Sequence, residues 1–187
     1  MPRALEGERI SVRNYRDEDA QPLFDAIEES RIPLKRWMPW VDGVKAVEDR
    51  LVYVRKMQAN FLIQSEDFAY GIFEKSSGHY VGGTGLHRIN WATPCFELGY
   101  WLRASAHGQG FCTEAARLLT ISAFGTLGAA RVEVRCDSNN DKSANVPRRL
   151  GFNHEATLAC DRRISDGALS DTLIFALTWK DWRAKLK

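Results

Sequence analysis

Apolar positions recur along this chain with two different periods. Arg9 to Tyr15 alternates Ile10 and Val12 against Arg9 and Arg13, the period of two that marks a half-buried strand. Asp17 then heads a helix carrying Leu23, Phe24 and Ile27. A second helix is expected from about Ala46 to Ile63, where Val47, Leu51, Val54, Met57, Phe61 and Leu62 fall at helical spacing among charged residues. Phe68–Glu74 and His79–Gly85 are short β-branched and aromatic runs separated by Lys75-Ser76-Ser77-Gly78, a hairpin signature. Cys95 to Arg103 sets Phe96, Leu98, Tyr100 and Leu102 on one face and Cys95, Glu97, Gly99 and Trp101 on the other. Both faces are largely apolar, so this strand is expected to cross the middle of an antiparallel sheet.

Further on, Thr113 opens a helix through Glu114, Leu118, Leu119, Ile121 and Phe124, and Arg131 to Cys136 alternates as another strand. Asn140 to Phe152 reads as a short helix stopped by Gly151. Pro147 is awkward inside it, because proline removes a helical hydrogen bond. The helix is therefore expected to start near Ser143 or Ala144, with Pro147 in its first turn or at a kink. Strands alternating with helices, with no repeat, linker or low-complexity segment, predict one mixed α/β (α+β) domain over residues 1–187.

Composition narrows the function. A chain of 187 residues, 44% hydrophobic, buries roughly two-thirds of its unfolded surface around one core. Its 26 Lys and Arg against 24 Asp and Glu leave a net charge of +2 without a basic block, which argues against direct nucleic-acid binding. The basic excess in residues 142–187 is interspersed with acids and reads first as solvated surface. Cys95, Cys112, Cys136 and Cys160 form no CxxC pair and have no histidine at ligand spacing, so no metal is expected and reduced cytoplasmic thiols are the default. The N-terminal residues hold no apolar signal-like run, and nowhere do about 18 apolar residues follow one another, so neither export nor membrane insertion is expected. Cys112 and Cys136 lack a histidine partner and read as packing residues rather than nucleophiles. His87 and His107 read as water-exposed residues of strand ends or loops.

Two features carry candidate chemistry. Glu97 is a carboxylate in mid-strand between apolar neighbours; such a charge needs a partner, and an arginine on an adjacent strand is one explanation. After that strand come Ala104-Ser105-Ala106-His107-Gly108-Gln109-Gly110-Phe111-Cys112 and the helix at Thr113. Strand, glycine loop and helix is the order that cradles an anion on converging N–H groups at the positive end of a helix dipole. A tight turn needed only for packing has the same pattern. For an anion to bind, Glu114 must point away from the loop.

The order ExGYW, then GxG opening a helix, then NxxSxxVxxxLGF, running from Glu97 to Phe152, resembles the GNAT acyl-CoA N-acyltransferases. In detail it is similar to their RimJ/RimL branch, which includes ribosomal-protein N-terminal acetyltransferases. Leu34 to Trp40, and Asp171 followed by a strand and Trp182, extend the likeness over nearly the whole chain. The resemblance implies a GNAT fold, with a mostly antiparallel mixed sheet of about seven strands flanked by helices and two strands splayed around the cofactor arm. It implies acetyl-CoA as cosubstrate and a primary amine as acceptor, a protein N-terminus or a small molecule such as an aminoglycoside or amino acid. It leaves a homodimer, or a module that binds CoA without turnover, open.

On this resemblance His107, Gly108, Gln109, Gly110, Phe111, Cys112 and Thr113 bind the pyrophosphate through backbone amides. Tyr100, Trp101, Leu102 and Arg103 pair with the pantetheine arm, and Asn140 and Ser143 meet its far side. His107 and Cys112 depart from residues common in the family. Pro147 stands where many members have a tyrosine that protonates the departing thiolate, so Ser143 or solvent must serve. A neutral amine attacks the thioester directly, and Glu97 is the candidate base, its pKa raised by an apolar strand environment. A backbone N–H near Tyr100 or Trp101 polarises the carbonyl. Trp37 and Trp40, with Met38 and Pro39 between them, form either a hydrophobic plug or the acceptor-site wall. Asp171 either holds a substrate ammonium or caps a turn.

Overall fold

A computed structural model describes residues 1–63 and 65–184. The strands are β1 (Ala4–Glu6), β2 (Ile10–Asn14), β3 (Phe68–Glu74), β4 (Tyr80–Asn90), β5 (Cys95–Leu102), β6 (Arg131–Asp137), β7 (Asn153–Arg163) and β8 (Leu169–Thr178). The helices are α1 (Ala20–Lys35), α2 (Val47–Asn60), α3 (Phe111–Gly125), α4 (Asp141–Arg149) and α5 (Trp179–Ala184). All eight strands form one sheet in the order β1-β2-β3-β4-β5-β6-β8-β7. Every neighbouring pair is antiparallel except β5 and β6. The three-residue β1 at the edge brings the count to eight.

Both faces of the sheet are covered, which is why β3 reads as a continuous apolar run. Phe68, Tyr70 and Ile72 point to a core shared with Phe111, Ala115 and Leu119 of α3 and Ala144 and Val146 of α4. Ala69 and Phe73 point to a second core with Leu23, Ala26 and Ile27 of α1 and Val54 and Met57 of α2. In β5, Phe96, Leu98, Tyr100 and Leu102 join the first core and Trp101 packs on the second, as the alternation requires. At the chain's end, Trp182 of α5 stacks on Phe124 with centroids 5.5 Å apart.

Several boundaries shift. Residues 17–19 form a single 3-10 turn ahead of α1, in which Asp19 binds the Arg13 guanidinium through both oxygens at 2.7 and 2.8 Å. The second strand of the hairpin runs on to Asn90. α2 is shorter than its apolar pattern, because Leu62 and Ile63 lie beyond its end and are exposed. α4 begins at Asp141, with the Asn140 side-chain oxygen accepting the Ser143 N–H at 3.1 Å. Pro147 therefore lies past the first turn, not within it. Its missing N–H leaves the Ser143 carbonyl without its helical donor, and the Tyr100 hydroxyl donates to that carbonyl at 2.9 Å instead.

Candidate functional site

The sheet opens beside β5. Toward β4 this strand is paired from Glu97 to Leu102, but toward β6 only from Cys95 to Glu97. β6 continues to Asp137 paired with β8, so the edge of β5 from Leu98 to Leu102 faces no strand. Such an edge accepts an extended ligand through main-chain hydrogen bonds. The Tyr100–Ser143 hydrogen bond ties β5 to α4 across the two diverging arms.

β5 runs into the glycine loop. Gly108 and Gly110 have φ of 78° and 83°, and α3 starts at Phe111 with Gly110 as its cap, two residues before the expected start at Thr113. The amides of Phe111, Cys112 and Thr113 thus form the first turn, where N–H groups have no acceptor inside the helix. Gly110 has a second constraint, since a Cβ there would stand 3.1 Å from an Arg9 nitrogen. Arg9 clamps the loop from β2's end of the sheet, donating to the Gln109 carbonyl at 2.7 Å and to Glu114 Oε2 at 3.1 Å. Glu114 also accepts the Arg9 backbone N–H at 2.9 Å, so Arg9 takes up its charge although it lines the same depression as Gly110 and Thr113. Burial opposes its ionisation, but the Arg9 hydrogen bonds win and hold its carboxyl below the usual range. Arg9, Arg117 and Arg149 line an open depression of about 440 Å³ with Gly110, Thr113 and the carboxylates Glu8 and Glu114, so three guanidiniums against two acids stand next to the anion-ready amides.

At Gly99 and Tyr100 the same strand borders a cleft of about 300 Å³ on the sheet face covered by α1 and α2. Its walls include Tyr15, Trp40, Arg50, Tyr53, His87 and Trp101. His87 Nδ1 lies 2.5 Å from Asp67 Oδ1, and its ring covers Gly85 and Gly99 so closely that a Cβ on either would meet it within 3.0 Å. This leaves Nε2 as the ring nitrogen without the aspartate. Just beyond, the β4–β5 register shifts and Arg88 adopts φ 47°, a bulge that redirects the strand beside the cleft. Arg50 reaches the cleft from α2, over the Tyr53 ring at 5.1 Å and the Trp40 ring at 6.0 Å. Trp40 and Trp101 meet edge to face at 6.1 Å.

The residues singled out from the sequence divide. Tyr100, the loop from His107 to Thr113, Asn140 and Ser143 lie toward α3 and α4, whereas the Trp101 side chain is on the opposite face, lining the cleft with Trp40. Leu102 is buried in the core, and its carbonyl lies 3.2 Å from His107 Nε2. Arg103 is drawn toward α1, where it pairs with Glu29. Glu97 stands opposite His87 in the register and accepts from Arg88 on the neighbouring strand at 3.1 Å, the arginine pair that is one explanation of a mid-strand carboxylate, and this cationic partner replaces the purely apolar surroundings that the base reading needs. Trp37 is not among the cleft's lining residues; the Arg36 guanidinium covers it at 4.7 Å. Asp171 binds the Cys160 N–H at 2.9 Å within the β7–β8 pair, apart from the cleft. Burial pushes the Cys112 thiol up to about 12 and the Cys136 thiol up to about 11, which keeps both protonated near neutrality.

His87, Asp67, Arg50, Arg9, Arg117 and Arg149 were not singled out as site residues from the sequence. A histidine on a strand next to paired glycines was the one local signal available. Among the described residues no group of His, Cys, Asp and Glu could hold a metal ion, and no helix is long and apolar enough to cross a membrane.

Comparison with known proteins agrees with this geometry. Residues 9–153 match the family model described as the acetyltransferase (GNAT) domain. The chain is 25% identical over 179 residues to YdaF of Bacillus subtilis (strain 168), covering 95% of this chain and 96% of that protein. It is 24% identical over 169 residues to the ribosomal-protein-serine acetyltransferase of Escherichia coli (strain K12), covering 90% and 92%. Among solved structures it is similar to microcin C7 self-immunity acetyltransferase MccE in complex with acetyl-CoA and AMP, at TM-score 0.83 and 23% identity over 91% of this chain and 93% of that one. It is also similar to RimL, a ribosomal alpha-N-protein acetyltransferase, in complex with coenzyme A, at TM-score 0.84 and 19% identity over 95% and 99%. A family model spanning most of the chain, on a mixed sheet that opens beside a helix-capping glycine loop, places this protein in the GNAT family of N-acetyltransferases.

Proposed function

We propose that this enzyme transfers the acetyl group of acetyl-CoA to a primary amine, the α-amine of a protein or peptide N-terminus, within a ternary complex in the cytoplasm. One observation carries the reading: β5 alone links the three parts such a reaction needs. Its C-terminal end leads into the glycine loop, its edge from Leu98 to Leu102 is open, and Gly99, Tyr100 and Trp101 border the cleft. The names of the ribosomal-protein acetyltransferases among the relatives support a protein α-amine as acceptor.

The chain's residues fit the cosubstrate. The first-turn amides of α3, with Arg117 and Arg149 beside them, hold its phosphates. The β5 edge from Tyr100 to Arg103 takes the amides of the arm, and Asn140 and Ser143 border its far side. When bound, acetyl-CoA supplies an acetyl group activated as a thioester. A backbone N–H at Tyr100 or Trp101 polarises its carbonyl. The acceptor arrives as an ammonium and must lose a proton before its lone pair can attack. His87 Nε2 takes that proton, directly or through a water, while Asp67 holds the Nδ1 side of the ring and stabilises the imidazolium. Glu97, opposite His87 but paired with Arg88, is the second candidate for the base. Ser143 or solvent returns a proton to the leaving thiolate.

The test is release of CoA thiol, followed with a dye, across a panel of peptides and small amines. Acetyl-CoA binding with no thiol release for any acceptor would overturn the enzymatic reading. Release with small amines but never with peptides would move the acceptor to the small-molecule class.

A further inference from the structure

Arg50 lines the cleft half-buried, with no carboxylate paired to its guanidinium. Its Nε is buried and has no hydrogen-bond partner. Arginines on the elements around it are each paired: Arg13 with Asp19, Arg31 with Glu28, Arg55 with Asp17 and Arg103 with Glu29. None of the ion pairs among the described residues includes Arg50. The cleft's own carboxylate, Asp67, is held by His87. Two aromatic faces, Tyr53 and Trp40, lie near the guanidinium, and such contacts recover only part of the cost of removing a cation from water. Burial accordingly pulls the Arg50 pKa below the ordinary guanidinium value.

A forked donor with its Nε withdrawn from water, lining an aromatic cleft on the same walls as a histidine held by an aspartate, is built for an oxyanion. We propose that Arg50 binds an anionic group of the acceptor, so that the preferred acceptor is an amine bearing a carboxylate or phosphate, with an apolar or aromatic portion against Trp40 and Trp101. This rests on the cleft being the acceptor site. The guanidinium meets carboxylate and phosphate with the same paired N–H groups, so the shared chemistry is the oxyanion itself. Specificity follows because a neutral analogue leaves the half-buried guanidinium unpaired.

The experiment compares acceptors with and without the anionic group: phenylalanine with phenylalaninamide, phosphotyramine with tyramine, and the C-terminally amidated peptides Ser-Glu-Ala and Ser-Gln-Ala. For each pair the ratio of kcat/KM, anionic over neutral, is measured by CoA release in the wild type, Arg50→Met and Arg50→Lys. The expected result is a ratio of about tenfold or more for at least one pair, collapsing toward one in Arg50→Met through KM and partly recovered in Arg50→Lys. The pair that responds tells carboxylate from phosphate and a free amino acid from a peptide. No pair with a preference, or a preference that survives Arg50→Met, overturns the proposal. Should no amine release CoA, the transferase reading fails separately, and calorimetric titration of phenylalanine and phosphotyramine still decides this one. Binding lost in Arg50→Met supports it, whereas equal binding to both proteins, or none to the wild type, refutes it.

Discussion

The Tyr100 hydroxyl donates to the Ser143 carbonyl that Pro147 leaves without a helical donor. One side chain on β5 thus replaces a hydrogen bond of α4 and ties that helix to the open strand. Tyr100→Phe should destabilise the fold by about 1 kcal/mol, because a part-buried carbonyl loses its partner. Pro147→Ala returns an N–H to position 147, so Tyr100→Phe should cost clearly less in that background. Chemical denaturation of the four proteins of this double-mutant cycle measures the coupling. Strictly additive effects would show that the hydroxyl does not stand in for the helical bond.

Removing the imidazole tests the base. His87→Gln should lower kcat/KM by about 10²- to 10⁴-fold with acetyl-CoA affinity retained. Asp67→Asn should lower it less, since the ring stays but loses the carboxylate that holds it. Glu97→Gln breaks the pair with Arg88 and should cost less than His87→Gln. The reverse ranking in steady-state kinetics would return the role to Glu97.

The clamp on the glycine loop makes a prediction about the cosubstrate. Arg9→Met removes the donor to the Gln109 carbonyl and the cation that neutralises Glu114. The freed carboxylate then stands beside the α3 amides, so acetyl-CoA should bind about tenfold more weakly, with the loss growing at low salt as repulsion is unscreened. Arg9→Met with Glu114→Gln should recover most of it. Calorimetric titration of acetyl-CoA decides: affinity unchanged in Arg9→Met would mean that the clamp has no bearing on the loop.

Glu29 predicts an acid dependence. Its hydrogen bond from Arg103 leads, joined by the Ser105 N–H, and together they hold its carboxyl at about 2 in the fold against 4.5 for the free residue. A pKa depressed in the folded state contributes stability that is fully present above 4.5 and is lost as pH falls toward about 2. The wild type should melt above Glu29→Gln at pH 7, and the gap should narrow steadily between those two values. A constant gap from neutral to acid would contradict this, and thermal melts across the range measure it.

Thiol reactivity separates the cysteines. Cys160 is exposed, whereas Cys112 and Cys136 are held protonated by burial. A thiol dye at pH 7.5 should label Cys160 first in the native protein, with Cys112 and Cys136 reacting only after denaturation. Mass spectrometry of the labelled peptides assigns the sites; early labelling of Cys112 would revive a nucleophilic reading.

What the sequence determined by itself is what short-range periodicity and backbone chemistry dictate. The alternation in Cys95 to Arg103 sorted the two faces of β5, and Gly108 and Gly110 marked the turn into α3, because pleating and φ above zero are local properties. The tertiary structure decided which charges meet. Arg9 reaches Gln109 from 100 positions away, and His87 finds Asp67 from 20. Glu97 took an arginine displaced by a bulge, and Arg50 was left with none. Pairings of this kind depend on register shifts and on helices crossing a sheet, and no periodic signal in the chain encodes them.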